Sequence, residues 1–212
     1  MANSDRAPPG AVKFSGEVDY KPAGDLRNGA RVLRELAADG NIRGGRYLLI
    51  GSLIMSAFCV EGFCQTYGPQ ILGDDWHRKN RPLERLPVLK KLARIGLQVG
   101  VSVDYEVSPW NDIKLIFEAR DRLAHPRPEK RKVATEMAGD TVDPHQVFLR
   151  EVAAIYESLL EPEQLGKIAE SIDDAFERIL SAAGMPGYAA KVMSFAYWGI
   201  TFEKAKESPT SE

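Results

Sequence analysis

An arginine and a histidine near the end of one predicted helix are the residues of this chain best suited to chemistry. Arg120 falls within an apolar stripe at helical spacing. A guanidinium, which stays charged in proteins, needs partners or a polar site at such a position. His125 directly precedes Pro126, which disfavours continuing the helix. A fixed cation and a group that titrates near neutral pH are therefore placed together at a helix end, where they can hold an anion and transfer protons.

A carboxylate in the most apolar predicted helix is the expected partner of this arginine. Glu61 lies between Val60 and Gly62 in a helix predicted from Arg46 to about Leu72. Because Glu61 and Arg120 both interrupt apolar faces, we expect them to form a buried ion pair. That pair could be a structural link between two packed helices, or it could fix Arg120 beside a reactive phosphate.

The apolar periodicity predicts an all-α fold, a helical bundle of about seven helices in a single domain over residues 23–206. Residues 1–22 form a polar N-terminal segment without a secretory signal, and residues 207–212 form a tail. Ser108 is expected to cap one helix with Pro109 at its first position. The predicted helices cover 25–38, 46–72, 83–99, 109–125, 142–160, 162–183 and 187–204.

Charge is divided unevenly along the chain. Residues 43–132 carry 16 basic and 10 acidic side chains, whereas residues 133–212 carry 6 and 14. The basic block ends at the Arg120–His125 segment, and it is either a phosphate-facing patch or a solvated loop of mixed charge. If it faces phosphate, the side chains expected to guide RNA are Arg122, Arg127, Lys130, Arg131 and Lys132.

Several other kinds of site find no support in the sequence. Dinucleotide and phosphate-loop motifs are absent, and the three histidines are scattered, so neither a cofactor nor a metal is predicted. Cys59 and Cys64 would diverge by about 140° on a helix, which disfavours a disulfide and favours a reducing cytoplasmic setting. The apolar run over 47–60 is only 14 residues long, so we expect a core helix and no membrane span.

The segment Arg120-Asp121-Arg122-Leu123-Ala124-His125 resembles the R-x4-6-H motif of HEPN domains, with Asp121 where that family favours a small polar residue. The resemblance covers residues 43–132, which contain the apolar helix with its internal Glu61, a second amphipathic helix and the motif helix. Residues 142–206 lie beyond it, as additional C-terminal helices. The resemblance implies an all-α bundle that dimerises so that two copies of the motif face each other. Active members are metal-independent endoribonucleases, frequent in toxin–antitoxin and antiphage systems.

On this resemblance, His125 is the acid/base and Arg120 clamps phosphate, with Glu61 and Asp121 orienting them. The partners implied are RNA and a second copy, with the interface including residues 109–125. An alternative is a non-catalytic HEPN-like interaction or regulatory module. In it the Glu61–Arg120 pair is structural, and the acidic C-terminal helices bind a protein such as an antitoxin. A third reading is an unrelated helical protein with an accidental motif.

Overall fold

The chain folds as an all-α protein in the residues that the computed structural model describes, 22–39, 43–77, 82–125 and 156–185. These residues form five α-helices and no strand, which confirms the predicted fold class. Of the predicted helices, 187–204 lies outside the described residues and 142–160 is described only from residue 156, so the count of seven is not confirmed. The helices are α1 (Pro22–Ala38), α2 (Gly45–Leu72), α3 (Val88–Gln98), α4 (Trp110–Ala124) and α5 (Pro162–Ala182).

Helix α2 is the centre of the bundle, and all four other helices contact it or its neighbours. Leu53, Val60 and Phe63 on α2 have no exposed surface. The ring of Phe63 stacks on that of Phe176 in α5, with 3.9 Å between their centroids. Burial of such aromatic and aliphatic side chains is the main contribution to the stability of the bundle.

Helix α2 matches the helix predicted from Arg46 to about Leu72, and it extends well beyond the apolar run over 47–60. The helix has 28 residues, and the segment Gly45–Asp75 is long and apolar enough to cross a membrane by length and composition. Half of its most apolar stretch is buried inside the protein. Core helices can be equally long and apolar. The apolar run over 47–60, which was expected to be too short to span a bilayer, is thus part of a longer helix, and the burial of half of its most apolar stretch fits the core helix that was predicted.

Small residues let α1 approach α2 closely along its whole length. A side-chain carbon at Gly51 would lie 2.9 Å from Leu33, and one at Gly62 would lie 3.4 Å from Ala23. The Ser52 hydroxyl, which is buried between the two helices, donates to the carbonyl of Ala30 at 2.8 Å and is thereby satisfied. The two helices run antiparallel as a hairpin.

The start of α4 differs from the predicted cap. The helix begins at Trp110, with Pro109 preceding it and no side-chain capping bond. The Ser108 hydroxyl instead donates to Asp112 Oδ2 at 2.8 Å, and the same oxygen accepts a 2.6 Å bond from Ser171 of α5. The Ser108 hydroxyl therefore bonds to the Asp112 carboxylate and does not cap the helix. Through Ser171, the same carboxylate links α4 to α5.

Candidate functional site

The last turns of α4 carry the predicted site residues. Ile113, Ile116 and Phe117 are buried and fix the orientation of the helix against the core. Arg120 follows on the same face, and its side chain is 25% exposed. The arginine therefore lies where the buried stripe meets solvent, with its guanidinium at the protein surface.

Three groups surround the Arg120 guanidinium. Its Nε and Nη2 atoms donate to Asp121 Oδ1 at 3.0 and 2.6 Å. Its Cζ lies 4.9 Å from the centroid of the Phe117 ring, within the range of a cation–π interaction. Glu61 Oε2 lies 3.9 Å from Nη1, at the outer limit of an ion pair. The guanidinium is thus held mainly by its own helix, with Asp121 as the closest partner.

The predicted proximity of Glu61 and Arg120 is found, but the pair is not buried. The Glu61 side chain is 39% exposed. Burial was expected because Glu61 interrupts the most apolar helix of the chain. In the structure Glu61 lies on the strip of α2 that the described helices leave open, so water screens its charge.

His125 ends the helix and faces solvent. Its amide donates to the carbonyl of Asp121 at 2.9 Å, and its backbone then leaves the helical conformation. Within the described part of the chain, no hydrogen bond or ion pair joins the His125 and Arg120 side chains. Five positions along a helix correspond to about 7.5 Å of rise. Within one chain, the cation and the imidazole are therefore separated by more than one helical turn.

Only part of the predicted RNA-binding set can be placed. Arg122 is exposed on the last turn of α4. Among the described residues, no group of three histidine, cysteine, aspartate or glutamate side chains could hold a metal ion. His77 is exposed and pairs with Glu84, with 2.9 Å between Nδ1 and Oε2. The remaining predicted cations, Arg127, Lys130, Arg131 and Lys132, lie outside the described residues.

A polar groove between α4 and α5 was not anticipated from the sequence. Its volume is about 470 Å³, and Asp112 with its two serine donors lies on its wall. Leu115, Leu159 and Ile168 supply apolar lining. Ser171 is 59 positions from Asp112, so no local pattern could have signalled that the two share a hydrogen bond.

Comparison of the chain with protein-family models, with curated proteins and with solved structures finds no match.

Proposed function

We propose that this protein is a HEPN-like, metal-independent endoribonuclease that acts as a homodimer, as such enzymes do in toxin–antitoxin or antiphage systems. The observation that supports the proposal is the end of α4. There, Asp121 holds an arginine at the surface, and an exposed histidine follows five positions later. Both groups are open to a large ligand such as RNA.

The two residue types match the needs of RNA cleavage without a metal. A base removes the proton of the 2′-hydroxyl, whose oxygen then attacks the adjacent phosphorus. The bond from phosphorus to the 5′-oxygen breaks, and an acid returns a proton to that oxygen. His125 can transfer protons near neutral pH, and Arg120 can donate hydrogen bonds to the nonbridging phosphate oxygens.

The separation of the two groups within one chain favours a composite site. A base and an acid are needed on opposite sides of the reacting phosphate, and one chain supplies a single copy of this histidine at the site. A two-fold dimer would supply both pairs to one cleft. The second copy is therefore part of the proposed mechanism.

The test is cleavage of single-stranded and structured RNA in the presence of EDTA. We expect His125→Ala to abolish cleavage with little effect on stability, because His125 is exposed at a helix end. Arg120→Ala should also abolish cleavage, and it should lose some stability because most of that side chain is buried. His77→Ala is the matched control, since it removes another exposed histidine, and it should cleave like the wild type.

Equal cleavage by wild type and His125→Ala would contradict the assignment. Circular dichroism and sedimentation of each variant would separate loss of chemistry from loss of fold.

A second candidate is a non-catalytic interaction module. The observation that favours it is the engagement of Arg120 by Asp121 and Glu61, which gives the cation a structural role without any ligand. Helix α5 would then serve as the surface for a protein partner such as an antitoxin. Its exposed acidic residues are Glu163, Glu170, Asp174 and Glu177. A folded wild-type chain that cleaves no RNA would favour this function.

A further inference from the structure

A narrow slot lies between α1 and α5, with α2 as its floor. Ala30 on α1 and Ala169 on α5 are small residues that leave a gap between the two helices, and Ser56 and Cys59 of α2 line the bottom of this gap. The slot has a volume of about 40 Å³. Since one water molecule needs about 10–15 Å³, the slot has room for about three water molecules or for one group of that size.

Arginines of α1 lie along this slot. Arg27, Arg31 and Arg34 follow one another at helical spacing, so they share one face of α1. Arg27 donates two hydrogen bonds to Asp173 and thereby joins α1 to α5 at one end of the slot. Arg34 reaches α5 at the other end, where its Nη1 atom lies 3.4 Å from the carbonyl oxygen of Leu165.

Arg34 keeps most of its hydrogen-bond donors for a ligand. Its contact with Leu165 is longer than the usual range of about 2.7–3.2 Å, and it forms no ion pair within the described residues. A guanidinium has five N–H donors, so several of those of Arg34 remain open. Arg31, in contrast, is half exposed and is held at the surface by both carboxylate oxygens of Glu35.

The Ser56 hydroxyl is a second donor without an acceptor, and it lies on the floor of the slot. The residue is only 4% exposed, and within the described part of the chain its side chain has no hydrogen-bond partner. A buried hydroxyl without a partner is costly and uncommon in folded proteins. Ser52, one turn earlier on α2, shows the usual arrangement, because its hydroxyl donates to the carbonyl of Ala30. Ser56 therefore indicates that a group in the slot accepts its hydrogen bond.

The charges around the slot suit an anion. No acidic residue lines it among the described residues, and Asp173 at its edge is engaged by Arg27. Burial raises the pKa of the Cys59 thiol to about 12, so the floor carries no negative charge at neutral pH. The walls formed by Ala30 and Ile172 are apolar, and hydrogen bonds to a charged group are stronger in such surroundings.

We infer that the slot binds a terminal phosphate group, either inorganic phosphate or a phosphate monoester, whose oxygens accept hydrogen bonds from Arg34 and Ser56. Arginine is well matched to phosphate, because two of its N–H groups can donate to two phosphate oxygens at once. An internal phosphodiester carries a chain on both sides of the phosphorus. It does not fit, because the floor is buried and the Arg27–Asp173 pair closes one end. The ligand is therefore a small molecule.

This slot is separate from the end of α4. Cys59 and Glu61 are two positions apart on α2, so their side chains point about 160° apart around the helix. Glu61 is the residue that adjoins Arg120. Phosphate binding in the slot is therefore independent of the proposed ribonuclease activity. A bound phosphate would link α1 to α5 and stabilise the folded protein.

Thermal unfolding of the full chain tests the site. The unfolding temperature is measured in sodium phosphate and in sodium chloride of equal ionic strength at the same pH. We expect it to rise with phosphate concentration and to reach a plateau, because a ligand that binds only the folded state stabilises that state. A wild type that responds equally to phosphate and to chloride would show that the slot holds only water, and the inference would fail.

Ser56→Ala distinguishes this site from binding of anions elsewhere on the surface. Without phosphate the variant should be at least as stable as the wild type, because it removes an unsatisfied buried hydroxyl. Its apparent affinity for phosphate should be about tenfold lower, since a hydrogen bond to a charged group is lost. Ser52→Ala is the matched control. It should be less stable, because it loses a satisfied hydrogen bond, and it should keep the response of the wild type to phosphate. A wild-type response in Ser56→Ala would overturn the inference.

Calorimetric titration with phosphate tests the arginine. Arg34→Gln should bind at least about tenfold more weakly than the wild type. Arg178→Gln is its control, since Arg178 is an exposed arginine of α5 that pairs with Asp174, and it should bind like the wild type. Arg120→Gln should also bind like the wild type. Loss of binding in Arg120→Gln with normal binding in Arg34→Gln would place the anion at the end of α4 and overturn the inference.

Titration with adenosine 5′-monophosphate and with adenosine separates the two forms of the ligand. Binding of the monophosphate that Ser56→Ala weakens, without binding of adenosine, would support a monoester in the slot. Binding of inorganic phosphate alone would support the free anion as the ligand. Equal binding of adenosine and its monophosphate, with no binding of inorganic phosphate, would show that no phosphate is recognised, and the inference would fail.

Discussion

Arg120 lies at the edge of the core, where neighbours on its own helix hold its guanidinium. The Asp121 carboxylate accepts two hydrogen bonds from it, and the Phe117 ring lies beneath its planar face. A guanidinium can donate from two nitrogens to one carboxylate oxygen while it lies over an aromatic ring. The arrangement fixes the orientation of Arg120 while leaving its outer surface for a ligand. A lysine ammonium has a single nitrogen and could not donate to Asp121 from two nitrogens in this way.

The exposure of Glu61 sets the size of its contribution to stability. We expect Glu61→Gln to lower the free energy of unfolding by no more than about 1 kcal/mol, because half-exposed ion pairs are screened by water. Urea unfolding followed by circular dichroism would measure this. Glu118→Gln, an exposed carboxylate on α4, is the control and should change little. A loss of several kcal/mol for Glu61→Gln would show that the pair is buried in solution.

The two cysteines predict how stability depends on pH. Burial in α2 raises the pKa of Cys59 and of Cys64 to about 12, from an ordinary value of 9.0. Between these limits the unfolded chain loses protons that the folded chain keeps, so the free energy of unfolding should fall as the pH rises from about 9 to about 12. Unfolding midpoints over this range would measure the slope.

The Cys59→Ala, Cys64→Ala double variant is the control for this slope. It should be less stable at neutral pH and show a shallower decline at high pH. Some decline should remain, because burial also raises the pKa of Tyr105. An unchanged slope would mean that the two thiols are accessible to water in the folded protein.

At the scale of the elements, α2 depends on glycines where other groups approach its backbone. Gly68 is buried against Trp76, whose ring occupies the space that a side chain at Gly68 would need. The ammonium of Lys91 on α3 lies 5.9 Å from the centroid of the same ring. This indole therefore joins the end of α2 to α3, and it is buried although it lies in a connection between helices.

Two glycine substitutions should have opposite effects. Gly68→Ala should lower the free energy of unfolding by about 1–3 kcal/mol or more, because the added methyl group overlaps the Trp76 ring. Gly166→Ala in α5 has no neighbour closer than 4.0 Å, so it should raise stability by up to about 1 kcal/mol through its helix propensity. Thermal unfolding of both variants would test this. A neutral Gly68→Ala would contradict the described position of Trp76.

At the scale of the whole molecule, charge is separated along the chain, with the basic block ending at the motif and the acidic block following it. The last turn of α4 displays Arg122, whereas the outer surface of α5 displays acidic side chains. Such a division attracts a polyanion to one part of the surface and disfavours it at another. It also offers an acidic surface for a basic protein partner.

The proposed binding of RNA should therefore weaken steeply as the salt concentration rises. Arg122→Gln should reduce the slope of log affinity against log salt concentration by about 0.7, the value for one phosphate contact on a single strand. Fluorescence anisotropy at several salt concentrations would measure this slope. Arg31→Gln on α1, where Arg31 pairs with Glu35, is the control and should leave the slope unchanged. Equal slopes for Arg122→Gln and the wild type would place the RNA elsewhere.

The helices were predictable from local information. Apolar spacing located α1, α2, α4 and α5 to within a few residues, because a helix that buries one face must repeat its apolar residues with its own period. The start of α3 was missed: the predicted helix began at Leu83, but Pro87 sets its beginning at Val88. Arg120, Asp121 and His125 were proposed as site residues from local information too, since they lie within about one and a half turns, and that role stays a prediction.

Contacts between distant parts of the chain were decided only by the tertiary structure. The sequence showed that Glu61 and Arg120 each needed a partner, but their exposure depends on which strip of α2 the other helices cover. The sharing of Asp112 by Ser108 and Ser171 depends on how α4 crosses α5. Tyr47 and Phe58 on α2 are exposed because α5 packs on the other side of this helix, where Phe63 stacks on Phe176. Periodicity specifies which face of each helix is apolar, whereas side-chain packing selects which apolar faces meet, and that selection determines which remain exposed.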